Sequence, residues 1–129
     1  MNIGEAAKCS GVTAKTIRYY ESIGLIVPAG RTASGYRVYG VSDVEILRFI
    51  HRSRSLGFSV EDVSGLLALW RDRTRASADV KAIATRHIME IEHKIAELDS
   101  IRQTLLDLTC RCHGDDRPDC PIIEELAHR

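Results

Sequence analysis

Apolar residues recur along this chain in short helical bursts over positions 1–70, then in one long stripe without a break. The first burst, Ile3 to Lys8, stops at Ser10-Gly11. Thr13 offers a side-chain oxygen to cap a second helix, Ala14 to Ser22, which ends near Gly24. Two short helices joined by a tight glycine turn predict a helix-turn-helix, with Ala7 as the small contact residue, Gly11 in the turn and Ile17 as the core plug. Ser42-Asp43-Val44-Glu45 reads as a capping box opening a third helix that carries Val44, Leu47, Phe49 and Ile50 inward. Gly57 breaks that helix, and Ser59 caps a fourth whose apolar face is Val60, Val63, Leu66, Leu67 and Trp70.

Between the second and third helices the pattern turns extended. Ser34-Gly35 is a turn signal and Tyr36-Arg37-Val38-Tyr39 is built of strand formers, so a small hairpin carrying Arg31 and Arg37 is expected. Placed directly after a helix-turn-helix, such a hairpin is a wing. From Ser77 to Leu108 there is neither Pro nor Gly. Val80, Ala84, His87, Ile91, Leu98, Leu105 and Leu108 fall close to coiled-coil spacing, with Ile83, Ile88, Ile95 and Ile101 beside them. A helix of that length is a rod of roughly 45 Å. A small lobe cannot cover it, so its stripe calls for a partner helix, most simply the same helix of a second chain; His87 is read as a seam residue rather than a ligand.

Composition narrows the function. The chain has 129 residues, 44% of them apolar and 28% charged, the balance of a folded protein. That length leaves little room for separate substrate and cofactor domains. Five histidines are scattered, and neither a nucleophile–base pair nor a phosphate loop stands out, so an enzyme is the weakest reading. No apolar run approaches the roughly 20 residues of a membrane span, and Met1 opens no charged-then-apolar leader; a cytoplasmic protein without a membrane partner is expected. The net charge of zero hides an asymmetry: residues 1–56 carry eight basic and four acidic side chains, and the remainder carries ten and fourteen. A basic front points to nucleic acid. On the second helix, Lys15, Arg18 and Tyr19 lie at i, i+3 and i+4 and share a face, which could enter a major groove with its cations on phosphates or guanine edges.

Cysteine use is the other informative feature. Cys110, Cys112 and Cys120 crowd the end of the chain, while Cys9 stands alone and is read as a small buried residue. Gly114 and Pro118 bend the segment so that Cys112 and Cys120 can face each other, and Pro121 suits the first turn of a short terminal helix, Ile122 to Ala127. Cys120 then sits at a helix N-terminus, where the dipole favours a thiolate. Two thiolates suit a soft monovalent ion such as Cu(I); structural zinc wants four donors, which Cys110 and His113 could help supply. Redox switching and ordinary surface thiols remain open on spacing alone.

Together these residues are specific. Thr16-Ile17-Arg18-Tyr19-Tyr20-Glu21 followed by Gly24-Leu25, then Gly35-Tyr36-Arg37, Ser77-Ala78-Asp79-Val80, and finally Cys112 with Cys120-Pro121-Ile122 resemble the MerR family of transcriptional regulators, and within it the copper-efflux regulators, over essentially the whole chain. The resemblance implies a mainly α fold: a winged helix-turn-helix domain with a small β-hairpin wing at 1–70, a linker and long antiparallel coiled-coil dimerisation helix at 71–109, and a metal-binding loop with a short terminal helix at 110–129. It implies a homodimer whose DNA-binding residues are Thr13, Lys15, Arg18 and Tyr19 on the recognition helix and Arg31, Tyr36 and Arg37 on the wing. It implies Cys112 and Cys120 as ligands of Cu(I), or of Ag(I) or Au(I), as effector ion. Ser77 occupies the position that carries Ser in sensors of monovalent ions and Cys in sensors of divalent ions. The implied function is activation of metal-efflux or detoxification genes: the dimer distorts double-stranded operator DNA so that RNA polymerase engages both promoter elements. The alternative is a divalent-metal (Zn, Cd or Pb) or thiol-redox sensor of the same family, because Cys110 and His113 depart from a plain two-thiolate loop.

Overall fold

The computed structural model describes residues 1–128. In chain order the elements are α1 (Ile3–Ser10), α2 (Ala14–Ser22), β1 (Gly30–Arg31), β2 (Arg37–Val38), α3 (Val41–Ser55), α4 (Val60–Arg71), α5 (Ser77–Arg111) and α6 (Pro121–Ala127). They form two compact units, Met1–Ile83 and the chain from Ala84 onward.

The first unit is a winged helix-turn-helix built around one apolar core. Asn2 caps α1 by accepting from the Glu5 N–H at 2.9 Å, and Thr13 caps α2 by accepting from the Thr16 N–H at 3.2 Å. Between them Gly11 turns the chain in the left-handed region at φ 79°, and its N–H donates to the Ala7 carbonyl. A Cβ there would meet the His51 ring at 3.4 Å, an ordinary contact, so it is the left-handed backbone that calls for Gly. Ile17 is fully enclosed, with Ala6, Leu47, Ile50, Val63 and Leu67 in the same core. Ala6 is the small residue at its centre; Ala7 packs at its margin.

Three expectations change. α3 starts at Val41 rather than at a Ser42 capping box: Gly40 is the cap, and its N–H donates to Asp43 Oδ2 at 2.8 Å. Glycine has no side chain to return the bond, so only the acidic half of the box exists. Cys9 is exposed, not buried. The inward arc of α1 is Ile3, Ala6, Ala7 and Ser10, and Cys9 lies outside it; only its carbonyl is engaged, accepting from Arg48 Nε at 2.9 Å. Trp70, assigned to the core face of α4, stays 41% exposed and stacks flat on Phe49 with ring centroids 4.6 Å apart, closing the outer edge of the α3–α4 pair.

The wing is an antiparallel pair of two-residue strands, with Gly30 opposite Val38 and Arg31 opposite Arg37. Such a ribbon is marginal by itself. Its base is tied down just past β2, where Tyr39 is buried and exchanges two backbone bonds of 2.7 Å with Met1.

The helix α5, 35 residues in all, begins in the first unit, makes up most of the second, and buries a single side chain, Leu108. It runs past Leu108 to Arg111, so Cys110 lies in its last turn. Gly114 bends the following loop at φ 64°, and α6 begins with Cys120 at the cap position and Pro121 at its first residue.

Replacing Ile17 or Ile50 by Ala is expected to destabilise the first unit by about 2–5 kcal/mol, because each leaves a cavity in a closed core. Val27→Ala, at a position 76% exposed, is expected to stay within about 0.5 kcal/mol. Urea unfolding followed by circular dichroism measures both.

Candidate functional site

Along α2 the side chains divide cleanly. Ile17 and Tyr20 are buried, while Lys15, Arg18 and Tyr19 point outward, Tyr19 with 54% of its surface in water. Among the described residues neither Lys15 nor Arg18 has an ion-pair partner, so both charges are available to an outside anion. Thr13 is exposed at the helix start, but its hydroxyl is engaged in capping and donates to Thr16 Oγ1 at 2.8 Å.

The wing residues lie beside this face. Arg18, Tyr36 and Arg37 line one surface hollow of about 140 Å³ together with Asn2, Ile3 and Gly35. Tyr36 is 73% exposed. Arg31 is exposed and braces the turn, with Nη1 donating to the Gly35 carbonyl at 2.9 Å. Arg37 differs from the others. Its Nε lies 3.4 Å from Glu21 Oε2, and its side chain is half-buried.

Glu21 is the functional residue that sequence reasoning passed over. Its carboxylate is nearly enclosed, 7% exposed, and also accepts from the Tyr39 hydroxyl. Burial, followed by the bond to the Glu21 carboxylate, holds the Tyr39 phenol well above its ordinary range, so it serves as a neutral donor. The available signal was a lone acid at the end of an otherwise cationic helix.

At the far end of the chain Cys112 and Cys120 come together with their sulfurs 3.7 Å apart, both half-buried. The Cys120 thiol is held below its usual value, first by the Ile123 amide, then by the bond with Cys112 and the Ile122 amide, against the opposing effect of burial. These amides belong to the first turn of α6, the orphan donors a helix start leaves over. Cys110 and His113 are exposed. Among the described residues no group of three or more His, Cys, Asp or Glu side chains is disposed to hold a metal ion. The donor set brought together is therefore two soft sulfurs, which fits a soft ion of low coordination number. Ser77 is exposed as the first residue of α5 and belongs to the first unit.

Residues 1–69 match the family described as MerR HTH family regulatory protein, and residues 44–108 match MerR, DNA binding. The chain belongs to the MerR family. Among its relatives is the HTH-type transcriptional regulator HmrR of Sinorhizobium medicae (strain WSM419), 66% identical over 98% of this chain and 86% of that protein. The HTH-type transcriptional regulator CueR of Escherichia coli O6:H1 is 44% identical over 98% of this chain and 94% of that protein. The solved structure of the transcription regulator PbrR691 from Ralstonia metallidurans CH34, in complex with lead(II), superposes with a TM-score of 0.86 at 30% identity, over 98% of this chain and 99% of that one. As a MerR-family member the chain is a DNA-binding transcriptional regulator and not an enzyme.

A depressed thiol retains its negative charge to lower pH than an ordinary one. Cys120 therefore favours the folded loop above the usual thiol value of about 8.5, and that contribution is lost as pH falls through its own lower value. Iodoacetamide labelling of reduced protein, read by peptide mass spectrometry, is expected to modify Cys120 at lower pH in the folded protein than in urea-unfolded protein. Equal pH profiles would contradict the role given to the α6 amides.

Proposed function

We propose that this MerR-family chain is a metal-responsive activator, working as a homodimer on promoter DNA in the cytoplasm, whose effector is a soft monovalent cation: Cu(I), Ag(I) or Au(I). The observation that carries the metal reading is the sulfur pair, Cys112 and Cys120 in mutual contact. His113, Asp115, Asp119 and Glu124 border the same hollow as Cys120, but among the described residues no group of three or more donors is disposed to hold a metal ion. Ser77, the residue that the family resemblance links to sensors of monovalent ions, supports the same choice. The names of relatives agree at the coarser level of a metal effector: CueR and HmrR regulators, a heavy metal-dependent transcription regulator, and a lead-bound regulator of the same fold.

The dimer reading rests on the exposed stripe of α5. Ile88, Ile95, Leu98 and Ile101 are each more than half exposed within one chain, the pattern of a coiled-coil seam awaiting its partner. A two-fold dimer presents two copies of the α2 face and wing to the two halves of a palindromic operator. Lys15, Arg18 and Tyr19, with Arg31 and Tyr36, would contact phosphates and base edges there, and the deformed promoter would admit RNA polymerase. Such deformation costs of order 1–6 kcal/mol. The effector must supply it by favouring one of two dimer states.

The second unit carries a route for that preference. On α6, Ile123 and Leu126 are 64% and 70% exposed, and Leu126 borders an apolar groove with Ile101, Leu105 and Leu108 of α5. Cys112 and Cys120, drawn together on the ion, order the loop and seat α6 in that groove. Ile122→Ser with Ile123→Ser is expected to retain effector binding and abolish transcriptional activation in a promoter-reporter assay.

The deciding experiment offers Cu(I) and Zn(II) in competition to anaerobic, reduced protein and to its Cys110→Ser, Cys112→Ser and Cys120→Ser variants. Cu(I) is expected to win, with binding lost only in the last two variants. Preference for Zn(II), or equal dependence on Cys110, would make the site a divalent one of three or more donors.

A further inference from the structure

Glu21 is one of only four acidic residues among the first 56, and it stands at the end of the helix that presents Arg18 to solvent. A carboxylate 7% exposed is costly unless it is paired and hydrogen-bonded. Its partners lie 16 and 18 residues further along: Arg37 Nε at 3.4 Å, on β2, and the Tyr39 hydroxyl, at the base of the wing. Among the described residues no other side-chain hydrogen bond joins α2 to the wing, and the ribbon's own ladder is two residues long on each strand. We propose that Glu21 is a positioning residue of the DNA-binding surface, its buried carboxylate holding Arg37 and Tyr39 so that the wing keeps a fixed angle to the recognition helix.

This inference rests on reading α2 and the wing as the DNA contact, and it divides labour among the arginines. Among the described residues Arg18 has no ion-pair partner, and its charge is available to a phosphate. Arg37 has its charge largely answered by Glu21, so it anchors the wing rather than neutralising a phosphate. The wing tip, with Tyr36 and Arg31, is carried to its place by that anchor. Removing either end of the pair should do the same damage, and removing both should add little.

The test uses full-length protein and a duplex that wild type enriches from a random-sequence pool, with an unselected duplex as control. Affinities are measured across a range of salt concentrations for Glu21→Gln, Arg37→Ala, the double variant and Arg18→Ala, each checked for a native circular dichroism spectrum. Glu21→Gln and Arg37→Ala are each expected to weaken binding to the selected duplex about tenfold, roughly 1.4 kcal/mol. The double variant is expected to lie within about twofold of the weaker single, the mark of coupled residues. Arg18→Ala is expected to flatten the salt dependence by about one phosphate contact per protomer. Arg37→Ala and Glu21→Gln are expected to change the salt dependence equally, because both act by displacing the wing; a direct phosphate contact by Arg37 would flatten it in Arg37→Ala alone. Should Glu21→Gln not fold, Tyr39→Phe removes one donor of the clasp while keeping the ring, and is expected to weaken selected binding severalfold. Wild-type affinity in Glu21→Gln, additive losses in the double variant, or a salt slope that falls in Arg37→Ala but not in Glu21→Gln would each overturn the proposal. If Arg18→Ala is also without effect, the reading of α2 as the DNA contact fails with it.

Discussion

Ile88, Ile91, Ile95, Leu98, Ile101 and Leu105 each leave between 41% and 60% of their surface in water along α5, in a helix that buries one side chain of its own. Apolar burial at about 25 cal/mol per Å² is the main favourable term in folding, and here a long row of it is left unclaimed by the single chain. A polar surface helix would leave no such row, and the proposed dimer is one way to cover it. Pairing along α5 would double the winged helix-turn-helix and impose two-fold symmetry on the DNA it reads. The same helix ends in the turn that carries Cys110 and leads into Cys112, so in the proposed dimer the pairing element is covalently continuous with the cysteine loop.

The first unit is closed around its own core and is chemically polarised. Its inward residues are aliphatic except for the buried rings of Tyr20 and Tyr39, and its outward α2 face is cationic. One buried acid, Glu21, joins two elements that the backbone alone would leave loosely related. Buried ion pairs contribute little net stability, but they favour one geometry over its neighbours. A surface that must match the spacing of phosphates gains from that restriction.

Much of this was legible in the sequence because the signals were local. Thr13 and Ser59 cap their helices as their side chains foretold, and Gly11 and Gly57 turn the chain where left-handed backbone is required. The approach of Cys112 to Cys120 follows from a bend within a short loop. The misreadings share a different origin. Gly40 replaced Ser42 as a cap because Asp43 could serve the helix start from the other side. Cys9 fell outside an arc that shifts by one residue when Ala6 rather than Ala7 takes the centre. The pairing of Arg37 with Glu21 was not read at all, because the counter-charge lies 16 residues earlier, on another element. No window along the chain contains that pairing.

The half-exposure of Cys112 and Cys120 bears on how quickly such a sensor could respond. Soft ions in a thiol-rich medium travel from one sulfur to the next rather than as free ions. Handover from a small thiol requires an incoming or departing sulfur beside the pair before the first bond is given up, much as thiol–disulfide exchange depends on access to the sulfur attacked. A sealed pocket would make each exchange wait for local unfolding. A pair at the surface of a short loop leaves that third position open. In the role proposed here the signal would track the surrounding thiol pool in both directions, fading as readily as it arises.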